Sequence, residues 1–185
     1  LELDGQSLAR ETAFLARCRV HGVVWPAGAG ETKALSYHER MRYSQTVVKA
    51  AKGRTTVLIG VHGVNKFEAM EYARHAEKIG ADGLHLSSAR LAACAQRPDF
   101  AWVGASCHTR DEIVRAGELG LDYALLGPVM PTPTHPDAPG IGWAGYAERV
   151  AGNTLPVMAL GGMTPDMLAE AQLHGAHGLA LMRGW

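Results

Sequence analysis

Gly80-Ala-Asp-Gly-Leu-His-Leu86 is echoed twice, as Gly120-Leu-Asp-Tyr-Ala-Leu-Leu126 and Gly175-Ala-His-Gly-Leu-Ala-Leu181. Each stretch reads as a helix stop, a tight turn and an apolar strand. The leading glycine supplies the left-handed conformation that ends a helix. The run behind it lacks the polar alternation of a half-exposed strand. Continuous apolar strands are buried on both faces, and strands alternating with helices make a parallel sheet. The three echoes therefore point to an α/β fold.

Helix starts are marked by Ser36 with Glu39, Asn65 with Glu68 and Thr109 with Glu112, each read as a capping box. Thr164 followed by Pro165 reads as an N-cap with proline at the first helical position. With Gly53, Gly80, Gly120 and Gly175 as stops, helices are predicted over 7–18, 37–52, 66–79, 110–119 and 165–174. Weaker helix signals lie near 88–96 and 142–151. Apolar runs predict strands at Val23–Trp25, Thr55–Val61, Gly83–Leu86, Ala101–Ala105, Tyr123–Leu126, Val157–Leu160 and Gly178–Leu181. The strand-then-helix order favours a TIM-type (β/α) parallel barrel over an open doubly wound sheet. A single domain over 1–185 is expected, and an incomplete barrel: the 185 residues fall short of the roughly 250 such folds use. The expected barrel lacks a convincing first strand before Ser7 and a helix after Trp185. Open parallel edges invite pairing, so a homodimer through those edges is expected.

Lysine plus arginine and aspartate plus glutamate balance at 18 each, which argues against nucleic-acid or anionic-membrane partners. No apolar run approaches the roughly 20 residues of a membrane helix, and no signal-peptide pattern opens the chain. Cys18, Cys94 and Cys107 lack paired spacing, which argues against a disulfide framework or a zinc site. A cytoplasmic protein without a cofactor is the resulting expectation.

From about Gly80 onward, five ordered stretches resemble the thiamine phosphate synthase and thiazole tautomerase family, in the version fused to Nudix hydrolases. They are Gly80-Ala-Asp-Gly-Leu-His-Leu, Gly104-Ala-Ser-Cys-His-Thr, Asp122-Tyr-Ala-Leu-Leu-Gly-Pro-Val-Met-Pro-Thr-Pro-Thr, Leu160-Gly-Gly-Met-Thr-Pro and Gly178-Leu-Ala-Leu-Met-Arg. From about Leu3 to Gly80 the chain is instead similar to the dihydrodipicolinate synthase and N-acetylneuraminate lyase family. That similarity rests on Leu3-Asp-Gly, Gly22-Val-Val-Trp-Pro-Ala-Gly-Ala-Gly-Glu, Leu35-Ser-Tyr-His-Glu-Arg and Tyr72-Ala-Arg-His-Ala-Glu-Lys-Ile-Gly-Ala-Asp. Both families are (β/α) barrels with a Gly-Ala-Asp turn, so the pair implies a chimera joined near 80–84. The opening Leu1 fits a processed, trimmed or engineered chain.

Ser106 and His108 lie two residues apart at the end of the strand predicted over Ala101–Ala105, so their side chains share a face. Barrel chemistry occurs at strand C-terminal ends, and a histidine there can move a proton near neutral pH. The resemblance implies that the serine meets a phosphate or pyrophosphate and that the histidine serves a tautomerase-type proton transfer. The plainer alternative is a pair that ties down a loop. Cys107 faces the other way and reads as packing.

Thr132, Thr134 and His135 form an oxygen-rich, proline-stiffened loop suited to phosphate, or merely a stiff connector. Gly161 and Gly162 end a strand where barrels often hold phosphate on bare N–H groups, with Arg183 adding a charged fork. Their alternative is a tight turn that needs glycine.

Two losses stand against the resemblances. The aldolase-like family's Schiff-base lysine has no counterpart, since no lysine follows Lys78. The synthase's magnesium-binding aspartates belong where the chain reads Ile59-Gly-Val-His-Gly and His85-Leu-Ser-Ser-Ala-Arg, without a carboxylate. His62, His85 and His108 share no recognised ligand spacing, so no metal site is expected. The leading functional expectation is a recombined scaffold without native catalysis that retains a phosphate-binding rim. The alternative is a thiazole tautomerase-like or thiamine phosphate synthase-like enzyme acting on a thiazole phosphate.

Overall fold

A computed structural model of the chain describes residues 3–27, 34–63, 65–132 and 139–182. It divides into two compact units, Leu1–His85 with Pro98–Trp102, and Leu86–Arg97 with Val103–Trp185.

In the first unit, α1 (Gly5–Arg17) precedes β1 (Gly22–Trp25), α2 (Tyr37–Ala51), β2 (Thr56–Gly60), α3 (Lys66–Lys78) and β3 (Gly83–Leu86). Strand β2 pairs in parallel with β1 and with β3. Helix α1 starts two residues earlier than expected because the Asp4 carboxylate accepts the Gln6 N–H. No strand precedes α1 among the described residues. The core gathers Val47, Ala51, Val57, Ile59, Ala76 and Leu84, all but closed to solvent.

In the second unit, α4 (Ser88–Ala93), β4 (Trp102–Cys107), α5 (Arg110–Glu118), β5 (Tyr123–Leu126), α6 (Gly142–Val150), β6 (Val157–Leu160), α7 (Leu168–Leu173) and β7 (Gly178–Ala180) follow in turn. Strands β4 to β7 pair in parallel, each with the next. Val103, Ala105, Cys107, Ala124, Leu126 and Ala159 are wholly buried beside Ile113, Ala116 and Ala171 of the helices. The repeating β-then-α order with parallel pairing makes this the expected TIM-type α/β fold.

The three echoes build one geometry. Gly80, Gly120 and Gly175 all have positive φ. The next residue donates its N–H back into the helix, from Ala81 to Ala76, Leu121 to Ala116 and Ala176 to Ala171. The third residue then joins the preceding strand. Asp82 N–H donates to Val57 O while its carboxylate accepts the Val57 N–H at 2.8 Å. Asp122 repeats both bonds with Val103 and adds an ion pair to Arg97 at 2.7 Å. His177 makes only the backbone half, to Val157 O.

Capping follows sequence at Ser36 and Thr109, where both halves of the box form. At Asn65 only one half forms, because the Glu68 carboxylate takes the Tyr72 hydroxyl at 2.6 Å. The helix expected over 165–174 opens as a 3-10 turn, Pro165–Met167, and Thr164 makes no side-chain cap. The strand expected over Ala101–Ala105 reaches Cys107 and so contains Ser106.

Candidate active site

The end of β4 and the start of α5 set the position of His108. Thr109 caps α5, and the Glu112 carboxylate reaches back to the backbone N–H groups of both His108 and Thr109. The imidazole is then fixed from β5: Nδ1 lies 2.6 Å from the carbonyl oxygen of Gly127. A carbonyl only accepts, so Nδ1 carries a proton, which leaves Nε2 as the ring nitrogen that can take up or give off one. His108 is exposed, and Ser106, in register with Leu125 on β5, is half-buried. Cys107 between them is wholly buried, and burial pushes its thiol pKa up to about 12.

The end of β6 lies under the segment that follows β5. Val129 N–H donates to Leu160 O and Met130 N–H to Gly161 O. Gly161 and Gly162 have φ of 96° and 69°. A Cβ on Gly161 would come within 2.7 Å of the Pro128 Cα, and one on Gly162 within 2.7 Å of the Met130 Cβ. Both glycines are therefore required by the turn itself. The N–H of Gly162 finds no acceptor among the described residues. Thr132 follows on the same segment and is half-buried. Thr134, His135 and Arg183 lie outside the described residues.

Two parts of this arrangement escape a reading of sequence. Gly127 orients the imidazole through its carbonyl, which no side-chain pattern announces. Glu112 is visible as a capping residue, but its hold on the His108 N–H appears only in three dimensions.

At the ends of β2 and β3, His62 and His85 stand 6.4 Å apart between ring centroids. Burial, with the Arg40 guanidinium adding repulsion, lowers the pKa of His62 to about 4. Burial, with His62 nearby, lowers that of His85 to about 3. Arg40 donates to the carbonyls of Gly60 and His62 and stacks on the Tyr72 ring at 3.8 Å. Both imidazoles are thus held neutral. Magnesium prefers hard oxygen donors in an octahedral shell. The side chains at these strand ends in the first unit are His62 and His85, and no three His, Cys, Asp or Glu side chains converge among the described residues. These residues do not fit a magnesium ion.

Comparison with known proteins extends this picture. The family described as "Thiamine monophosphate synthase" matches residues 27–185, so its likeness begins well before the junction expected near 80–84. The chain is 38% identical over 112 residues to the thiamine-phosphate synthase of Levilactobacillus brevis, covering 56% of this chain and 51% of that protein. It is 36% identical over 86 residues to the 4-hydroxy-tetrahydrodipicolinate synthase of Methanosphaerula palustris, covering 46% of this chain and 30% of that protein. Among solved structures, the thiamine phosphate pyrophosphorylase of Pyrococcus furiosus matches with a TM-score of 0.65 at 20% identity, over 98% of this chain and 80% of that one. The chain spans about half the length of several curated thiamine-phosphate synthases that it matches. No helix among the described residues is long and apolar enough to cross a membrane. A scaffold set apart from the family gains no support from these findings, because the match reaches deep into the first unit. The chain belongs to the thiamine monophosphate synthase family.

Proposed function

We propose that the chain binds a thiazole phosphate and moves a proton on it, as a thiazole tautomerase-like enzyme. The observation that carries this reading is the Nδ1 bond from His108 to Gly127, which orients an exposed ring just past the end of β4 and leaves its Nε2 for proton exchange. In the proposed step, Nε2 takes a proton from a ring carbon of the thiazole and returns it to another position. The electron pair of the broken C–H bond shifts through the conjugated system and forms the new C–H bond where the proton is returned, so atoms and charge balance. A base within hydrogen-bond reach of its proton supplies roughly a hundred- to ten-thousandfold in rate. Ser106, Thr132 and the Gly162 N–H supply donors for the phosphate, with Thr134, His135 and Arg183 assigned to the same rim.

Coupling to a pyrimidine pyrophosphate is the weaker reading, because the side chains at the β2 and β3 ends do not suit the metal that neutralises a departing pyrophosphate. The test is titration with a thiazole phosphate, followed by nuclear magnetic resonance, with product analysis. Saturable binding that Ser106→Ala weakens about tenfold, accompanied by isomerisation, supports the enzyme. Binding without isomerisation supports the recombined scaffold instead. The proposal also takes the chain as one cytoplasmic domain joined near 80–84, and as a homodimer through the open edge of β1, which pairs only with β2 among the described residues.

A further inference from the structure

The loops entering β1 and β2 carry cations that the site above does not use. Cys18–His21 joins α1 to β1, and Lys52–Thr55 joins α2 to β2. With Asp82 they line a cavity of about 320 Å³ whose wall includes Arg19, His21, Arg54 and Thr56. That volume falls at the small end of ligand pockets.

The side chains there are largely uncommitted. Arg19 and His21 make no side-chain hydrogen bond or ion pair with any described residue. Arg54 reaches the α2 carbonyls of Ala50 and Ala51 only through long bonds of 3.4 Å, from Nη2 and Nε. Asp82 is the one acid on the wall. Its Oδ2 is held by the Val57 N–H, and Oδ1 has no donor among the described residues.

Two guanidinium groups and an imidazole against one carboxylate leave a cationic surplus. Guanidinium forks match the oxygens of a phosphate. The carboxylate opposes a bare anion and favours a ligand that also brings a hydroxyl donor. We infer that this cavity binds a small phosphate monoester bearing free hydroxyls, with Arg19 and Arg54 on the phosphate and Asp82 accepting from a hydroxyl. A sugar phosphate and a glycerol phosphate share that chemistry.

Calorimetric titration of the whole chain at low salt tests the site, with ribose 5-phosphate, glycerol phosphate, inorganic phosphate and ribose as probes. The expected order is either ester above inorganic phosphate, and inorganic phosphate above ribose, and the first of the two esters to saturate identifies the source. Arg19→Gln should weaken ester binding about tenfold without shifting the thermal midpoint, since the Arg19 side chain has no hydrogen-bond or ion-pair partner among the described residues. Added salt should weaken it further. Ser106→Ala should leave it unchanged. Failure of both esters to bind at millimolar concentration overturns the site, as does equal binding by Arg19→Gln. Loss of binding in Ser106→Ala places the ligand at the β4 end and also overturns it. Inorganic phosphate binding as tightly as the esters removes the role given to Asp82.

Discussion

At the scale of single residues, burial decides what the histidines do. His108 is exposed and oriented, while His62 and His85 are packed in the neutral form. For a histidine whose folded pKa is depressed, stability is complete above the unfolded value and lost as pH falls through it. The unfolded rings protonate near 6.5, whereas the folded ones hold out to about 4 and about 3. The chain should therefore lose stability as pH drops from about 6.5 towards 4, by roughly 3 kcal/mol or more. Urea unfolding at pH 7.5, 6 and 4.5 measures this, and His62→Leu should flatten the slope. His62 and His85 were legible in sequence as strand-end histidines. Their surroundings were not, because the Arg40 guanidinium that bonds the His62 carbonyl arrives from a helix far away in sequence.

At the scale of elements, the sequence was readable where a local rule had no competitor. The boxes at Ser36 and Thr109 formed as spaced, while Asn65 lost its reciprocal half to Tyr72, a contact one helical turn further on. The Gly-x-Asp echoes show how much one carboxylate does between helix and strand. Removing a buried bonding partner costs about 1–3 kcal/mol, so Asp122→Ala, which loses Val103 N–H and Arg97 together, should fall at the upper end. The third echo offers the converse. His177→Asp should stabilise the chain by about 0.5–1.5 kcal/mol by giving the Val157 N–H the acceptor that the other two strands have. Thermal denaturation of the two variants checks both signs.

At the scale of the whole molecule, family membership and chemistry separate. The match over residues 27–185 makes the chain a thiamine monophosphate synthase relative, yet the positions where that family's metal-binding aspartates were expected hold neutral histidines and a serine. Activity should therefore be indifferent to EDTA, with a rate change under twofold; a large loss restored by magnesium would return the synthase reading. Light scattering across a concentration series should find a dimer that dissociates on dilution, since one edge of β1 is unpaired among the described residues. The (β/α) order was legible from punctuation and apolar runs alone. The site was legible only in its residue types, because its geometry rests on a backbone carbonyl.

The most direct measurement follows exchange of the carbon-bound proton of a thiazole phosphate in deuterated water, comparing the native chain with His108→Asn. Exchange in the native chain that falls at least a hundredfold in the variant, with KM changed little, is the predicted result. Exchange that survives the substitution, or native protein that binds the thiazole phosphate without exchanging its proton, would contradict the assignment of His108 as the proton carrier.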